Sequence, residues 1–386
     1  MSSPLTGYQV LDLTNVLAGP FCCHQLAHLG AEVIKVERPQ GGDLARQLGA
    51  DPALNEALMG VSFLAQNAGK RSVTLDLKHA HDRDAFLTLV ATADVVVENF
   101  RPGVMQRLGL GFETLREANP ELVYCAISGF GQDGPLANYP AYDQIIQGMA
   151  GVMSITGAPD NAPYRVGYPL ADTVGGLTAA MAINAALAER PRKAHFIDIS
   201  MLESVLATMG WAVSNLLIAG KSPKPLGNDN VTASPSGTFA TADGLINIAA
   251  NKQEQFAAIC HLLEHPEWLA DPRFAQRQAR LEHRQALSDC LEAVLKRETT
   301  EYWWPRLVEA GVPAGPVYSV ADALAHPQVR DRGLIEQFES SELGRPLKVV
   351  SGGYRFDGQA PRVASPPPGL GQDNTTLLPN RAANDE

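Results

Sequence analysis

Tyr8-Gln-Val-Leu-Asp-Leu13, Thr14-Asn-Val-Leu-Ala-Gly-Pro20, Phe21-Cys-Cys-His-Gln-Leu-Ala-His-Leu29 and Gly30-Ala-Glu-Val-Ile-Lys-Val-Glu37 follow one another without a break, and their reading decides the fold. The first piece is a short apolar run with the character of a strand. Asn15 to Pro20 is a turn. Phe21 to Leu29 reads as a helix closed by Gly30, and Glu32 to Glu37 alternates like a second strand. Strand, helix and strand at this spacing make a βαβ unit. The loop before the helix holds Ala18, Gly19 and Pro20, so backbone N–H groups at a helix start are free to meet an anion or an oxyanion. The loop is not a GxGxxG fingerprint, which weakens an ordinary dinucleotide-binding reading.

The alternation continues. Val73 to Leu77 reads as a strand, His79 to Ala91 as a helix, and Asp94 to Glu98, Leu122 to Ile127 and Phe196 to Ile199 as further strands. Strands alternating with helices predict an α/β fold, a Rossmann-like parallel sheet with helices on its faces. Ligands in such sheets sit beyond the carboxyl ends of the strands. Arg38, Asn99, Arg101 and the Ser128-Gly-Phe-Gly131 turn occupy those ends. Composition shifts at Lys221-Ser-Pro-Lys-Pro-Leu-Gly-Asn228, which has the proline and glycine content of a linker. The expected division is a large domain over 1–220, a linker over 221–234, a smaller α+β domain over 235–325, and a closing stretch over 326–386. Asn380 to Glu386 is expected to fray.

Net charge is -11 over 386 residues, which argues against nucleic acid as the main partner. An anionic ligand therefore needs a local basic cluster. The five cysteines show no CxxC or metal spacing, and Cys22 and Cys23 are adjacent. They read as reduced thiols of a cytoplasmic protein. No signal-peptide pattern opens the sequence. No apolar run is expected to span a bilayer, so no membrane partner is expected.

Chemistry concentrates in Arg165-Val-Gly-Tyr-Pro-Leu-Ala-Asp-Thr-Val-Gly-Gly-Leu177. Asp172 stands alone between an apolar run and Gly175-Gly176, and the small-residue run from Thr178 to Ala188 reads as a buried helix. One reading makes Asp172 a helix N-cap, a position aspartate favours. The other makes it a nucleophilic carboxylate, with the two glycines leaving room for a bulky substrate. Other constellations fall away. His261-Leu-Leu-Glu-His265 lacks the HExxH order and a third ligand, so no metal is expected. No GxSxG elbow occurs.

These stretches together resemble the class III coenzyme A transferase family, also called the CaiB/BaiF family. The resemblance rests on Leu11-Asp-Leu-Thr-Asn-Val-Leu-Ala-Gly-Pro20, Gly30-Ala-Glu-Val-Ile-Lys-Val-Glu-Arg-Pro39, Asn67-Ala-Gly-Lys-Arg-Ser72, Asp94-Val-Val-Val-Glu-Asn-Phe-Arg-Pro-Gly103, Ser128-Gly-Phe-Gly-Gln-Asp-Gly-Pro135, Pro140-Ala-Tyr-Asp143 and Ala171-Asp-Thr-Val-Gly-Gly176. Weaker matches continue to Pro367-Pro-Gly-Leu-Gly371. The resemblance implies a large domain built from both chain ends, a smaller inserted domain, and a homodimer of two interlocked rings. It places Asp172 on the family's catalytic aspartate.

The implied reaction is CoA transfer between an acyl-CoA and a small carboxylic acid, with no tightly bound cofactor. An aspartate is ionised at neutral pH unless strongly desolvated. Oxyanion and active-site candidates are Leu17, Ala18, Gly19, Tyr142, Gly175 and Gly176. Arg38, Lys70, Arg71, Leu75, Asn99, Arg101 and Arg107 are the candidates for holding CoA, since arginine suits phosphate geometry. Arg46, Arg165 and Asn230 are the candidates for the second carboxylate of a dicarboxylic acid, which must be paired if it is buried. Two departures guide the substrate. Leu17 stands where formyl- and oxalyl-transferring members carry Gln, which speaks against formate and oxalate. Tyr142 stands where family racemases carry His, and a phenol with a pKa near roughly 10 is a poor acid–base partner. Members that move CoA between succinate and a short dicarboxylate or branched acid, such as itaconate, resemble the chain more. The alternatives are a 2-methylacyl-CoA racemase and a CoA-binding homologue without turnover.

Overall fold

A computed structural model describes residues 3–340 and 344–379. Six parallel strands organise it: β1 (Gln9–Asp12), β2 (Glu32–Glu37), β3 (Lys70–Thr74), β4 (Val95–Glu98), β5 (Val123–Ser128) and β6 (His195–Ser200). Their order across the sheet is β3-β2-β1-β4-β5-β6. The order reverses between β1 and β4, and at such a switch point a crevice opens beyond the carboxyl ends. β4 and β5 are buried along their whole length, as expected where helices cover both faces. Alternate residues serve opposite layers. Val95, Val97, Val123, Cys125 and Ile127 join one apolar cluster, while Val96, Tyr124 and Ala126 join the other. The tail from Asn380 to Glu386, expected to fray, lies outside the described residues.

Helices of the same unit are α1 (Ala18–His28), α2 (Ala80–Val90), α3 (Asp143–Met149), α4 (Leu170–Ala188), α5 (Met201–Thr208) and α6 (Trp211–Ala219). α4 packs on α1, α5, β5 and β6. Its 19 residues are long and apolar enough to cross a membrane by length and composition, which corrects the expectation that no run is. Its place against the sheet is that of a core helix.

The chain divides into two compact units. One is built from residues up to 152, from 165–222 and from 330 onward. The other takes 153–164 and 223–329. The second unit holds a three-stranded antiparallel sheet of β7 (Ser236–Ala240), β8 (Leu245–Ala249) and β9 (Ala314–Pro316). Its core is Phe256, Phe274, Leu287, Leu291 and Trp303. In the first unit, β10 (Ile335–Phe338) and β11 (Leu347–Val350) pair as an antiparallel hairpin.

Candidate active site

A cavity of about 510 Å³ opens at the carboxyl ends of β1 to β5, and Leu17, Ala18, Arg38, Leu75, Lys78, Asn99, Tyr142 and Asp172 all line it. The loop after β1 is held there under strain. Val16 has φ +68°, a left-handed backbone that a β-branched residue rarely adopts. Such a conformation persists only where the surroundings over-determine it. Asp43 Oδ1 accepts the Val16 N–H at 2.9 Å. Asn99 takes the neighbouring residue from both sides, accepting from Asn15 N at 2.8 Å and donating to Asn15 O at 2.8 Å. Asp43 is in turn anchored by Lys35 at 2.9 Å, and both side chains are fully buried. Lys35 and Lys70 together hold buried Asp12 well below the usual carboxylate range, against the effect of burial. This buried charge lattice fixes the loop that presents Leu17 and Ala18. Ala18 and Gly19 open α1, where the first N–H groups have no acceptor within the helix.

Asp172 lies in the first turn of α4 but is not its cap. The cap position is Pro169, which offers no side-chain bond. Asp143 supplies the cap from outside, accepting the Ala171 N–H at 2.7 Å. Gln147, wholly buried, donates to Asp143 Oδ2 at 2.7 Å and to Tyr168 O at 3.2 Å. Its Oε1 accepts from Val166 N at 2.8 Å. Asp143 and Gln147 therefore tie residues 166–171 down and aim Asp172 into the cavity. Burial, and then the charge of Asp143, push the Asp172 carboxyl up to about 7. A helix N-terminus favours an anion, yet desolvation and the like charge outweigh it here. Tyr142 precedes α3 and stays 70% exposed at the cavity wall.

Several expected roles are corrected. Gly175 and Gly176 do not line the cavity. A Cβ on Gly176 would meet Ala18 O at 2.5 Å, and one on Gly175 would meet Met201 Cγ at 2.9 Å. These glycines let α4 close on α1 and on Met201, and leave no room for substrate. Gly19 also has to lack a Cβ for packing, since one would sit 2.3 Å from Thr14 Cβ, while its backbone N–H keeps its place in the first turn of α1. Arg46 is fully buried and forks onto Glu37 at 2.7 and 2.8 Å, with Pro368 O at 3.2 Å. Its donors are taken, so it is not free for a substrate carboxylate. Lys70 is buried between Asp12 Oδ2 at 2.8 Å and Pro20 O at 2.9 Å. Arg71 sits near the start of β3, bonded to Glu32 at 2.9 Å and Asp373 at 3.1 Å. That is the end of the strand away from the crevice.

Lys78 is the lysine at the cavity, and the sequence reading missed it. It follows the carboxyl end of β3, the same signal that marked Arg38 after β2. Asp143 and Gln147 were missed too, because their capping partner is 28 residues from Asp143. Arg101 and Arg107 are exposed and lie outside the cavity lining. Arg101 precedes the short helix Val104–Arg107 and Arg107 ends it, and Val104 of that helix does line the cavity. Arg165 is exposed and outside the lining. Asn230 belongs to the second unit, where its Oδ1 accepts from Thr232 N at 2.8 Å.

Comparison with known proteins agrees with this geometry. The family model for CoA-transferase family III matches residues 5–374. An acetyl-CoA:oxalate CoA-transferase of Acetobacter aceti is 41% identical over 350 residues, covering 90% of this chain and 89% of that protein. A succinate–glutarate CoA-transferase of Agrobacterium fabrum is 38% identical, covering 97% of this chain and 95% of the relative. The expectation from Leu17 that oxalate is disfavoured therefore stands beside a similar protein that is named for oxalate. A CaiB/BaiF family protein from Brucella suis has a solved structure with TM-score 0.86 and 35% identity, covering 98% of this chain and 100% of that one. The chain therefore belongs to CoA-transferase family III and is an enzyme that works on CoA thioesters.

Proposed function

We propose that the protein moves CoA from succinyl-CoA to a short dicarboxylic or branched acid of itaconate-like size, through an aspartyl-CoA thioester on Asp172. The observation that carries this reading is the placement of one half-buried carboxylate, Asp172, in the same cavity as the Leu17-Ala18 helix start. The ionised Asp172 oxygen attacks the thioester carbonyl. The carbon–sulfur bond breaks, and CoA leaves as thiolate with the electron pair, giving a mixed anhydride. The thiolate then attacks the aspartyl carbonyl and expels succinate, leaving aspartyl-CoA. The acceptor acid runs the same steps in reverse and restores the carboxylate. Covalent catalysis divides a hard exchange into easier steps. Backbone N–H groups at Ala18 and Gly19 are the oxyanion donors in this reading.

Arg38 and Lys78 supply positive charge at the cavity for CoA phosphates, with Arg101 and Arg107 outside it. The relatives named for glutarate and oxalate support a dicarboxylate acceptor. We further propose a homodimer. Trp211, Leu217 and Ile218 on α6 are 79%, 78% and 86% exposed in the single chain, an apolar face that a second copy would cover.

The test is Asp172→Asn, which keeps shape and loses the nucleophile. Transfer from succinyl-CoA falls by several orders of magnitude while CoA esters still bind. In the wild type, hydroxylamine traps a hydroxamate and borohydride an alcohol, both on the peptide with Asp172. Near-normal transfer in the variant, or an adduct on another carboxylate, overturns the mechanism. A panel of short acids, with mass spectrometry of the CoA products, identifies the acceptor. Deuterium entering the α-carbon of a 2-methylacyl-CoA as fast as transfer would favour a racemase.

A further inference from the structure

We infer that the protein has a second organic-acid site, in a cavity of about 810 Å³ bounded by α1, residues 54–66 and the β10–β11 hairpin. It takes a carboxylate with an apolar stem. The two cavities share no lining residue, and α1 separates them along its length. Ala18 borders the first, while Phe21, His24 and Gln25 border the second.

The chemistry of the lining selects the ligand. Arg345 and Lys348 stand at this cavity, and among the described residues no Asp or Glu lines it. In a chain of net charge -11, that is a local reversal of sign that draws an anion. Ser351 is only 7% exposed, yet its Oγ has no hydrogen-bond partner. Gln66 Oε1 is a second buried atom without one. Such orphans are uncommon in folded proteins. The Ser351 hydroxyl is a donor for a carboxylate, and Gln66 Oε1 is an acceptor for a hydroxyl or a water on the ligand. Leu54, Val61, Leu64 and Leu347 give the apolar wall for a stem. Cations, an orphan donor and an apolar wall in one enclosure are the features of a ligand site: apolar surface with a few placed polar groups.

The test is photolabelling of the full-length protein, as it assembles in solution, with a hexanoate that carries a diazirine on its chain. Peptide mapping is expected to find label in 54–66 and 345–351, competed away by plain hexanoate. Arg345→Glu with Lys348→Glu, both at exposed positions, should lose this label and keep the circular dichroism of the wild type. Asp172→Asn should keep it. Label confined to peptides of the first cavity, no label at all, or label unchanged by the charge reversal would overturn the assignment.

Discussion

Asp172 must be ionised to attack, but burial and Asp143 push its carboxyl up to about 7. Transfer should therefore rise with pH up to about 7 and level off above it, read as kcat/KM against pH. Removing the like charge lowers the pKa, so Asp143→Asn should move the break toward acid while Asn still accepts from Ala171 N. A break that stays in place would mean that burial alone sets it. The same shift bears on stability. A carboxyl raised in the fold holds its proton there longer than in the unfolded chain. Stability is therefore lost as pH climbs from the ordinary value of 3.8 to about 7, and Asp172→Asn removes that loss. The variant should gain more in Tm at pH 8 than at pH 5. At this scale the isolated place of Asp172 before Gly175-Gly176 left cap and nucleophile both open, and the resemblance singled it out. The sequence did not reveal which cations were already engaged. Arg71 meets Asp373, 302 residues on, and no local pattern carries such a pairing.

Elements set where these residues stand, and two substitutions test the packing. Gly176→Ala would drive a Cβ against the Ala18 carbonyl, which is backbone and cannot step aside. Overpacking of this kind costs about 1–3 kcal/mol, and the strain falls on the start of α1 at the cavity. Lower stability in urea together with weaker transfer is expected, and unchanged values for both would show that α4 can move off α1. Arg46→Ala leaves Glu37 buried without its fork, a loss of about 3–5 kcal/mol. Its effect should appear in the urea midpoint, with dicarboxylate KM unchanged if the folded fraction is assayed. α1 also carries His28, which burial pushes down to about 4, with Nδ1 3.4 Å from Glu336 of β10. A depressed histidine supports the fold fully above its ordinary value of 6.5 and loses that support as pH falls toward about 4. His28→Gln should flatten the acid limb of stability in that window. The strands were legible because β4 and β5 are largely apolar runs, closed by Glu98 and Ser128. The strand order was not, because periodicity gives strands but not their neighbours, and the crevice follows from that order.

At the scale of the whole molecule, the unexplained quantity is apolar surface. Leu177 and Met181 on α4 are 49% and 68% exposed, and Trp211, Leu217 and Ile218 on α6 more so. A lone exposed leucine needs no account, but large apolar side chains exposed this far on two helices of one unit support the proposed contact between copies. The unit that bears it is built from both chain ends, with 223–329 inserted between. Light scattering at micromolar protein should therefore give twice the chain mass. Leu217→Asp with Ile218→Asp places two charges in the proposed contact, where unpaired burial is strongly unfavourable. That variant should run as a monomer, or at a mass that depends on concentration, while its circular dichroism stays that of a folded chain. A wild-type protein that runs as a monomer and still transfers CoA at its full rate would show that the exposed face is not an interface between copies.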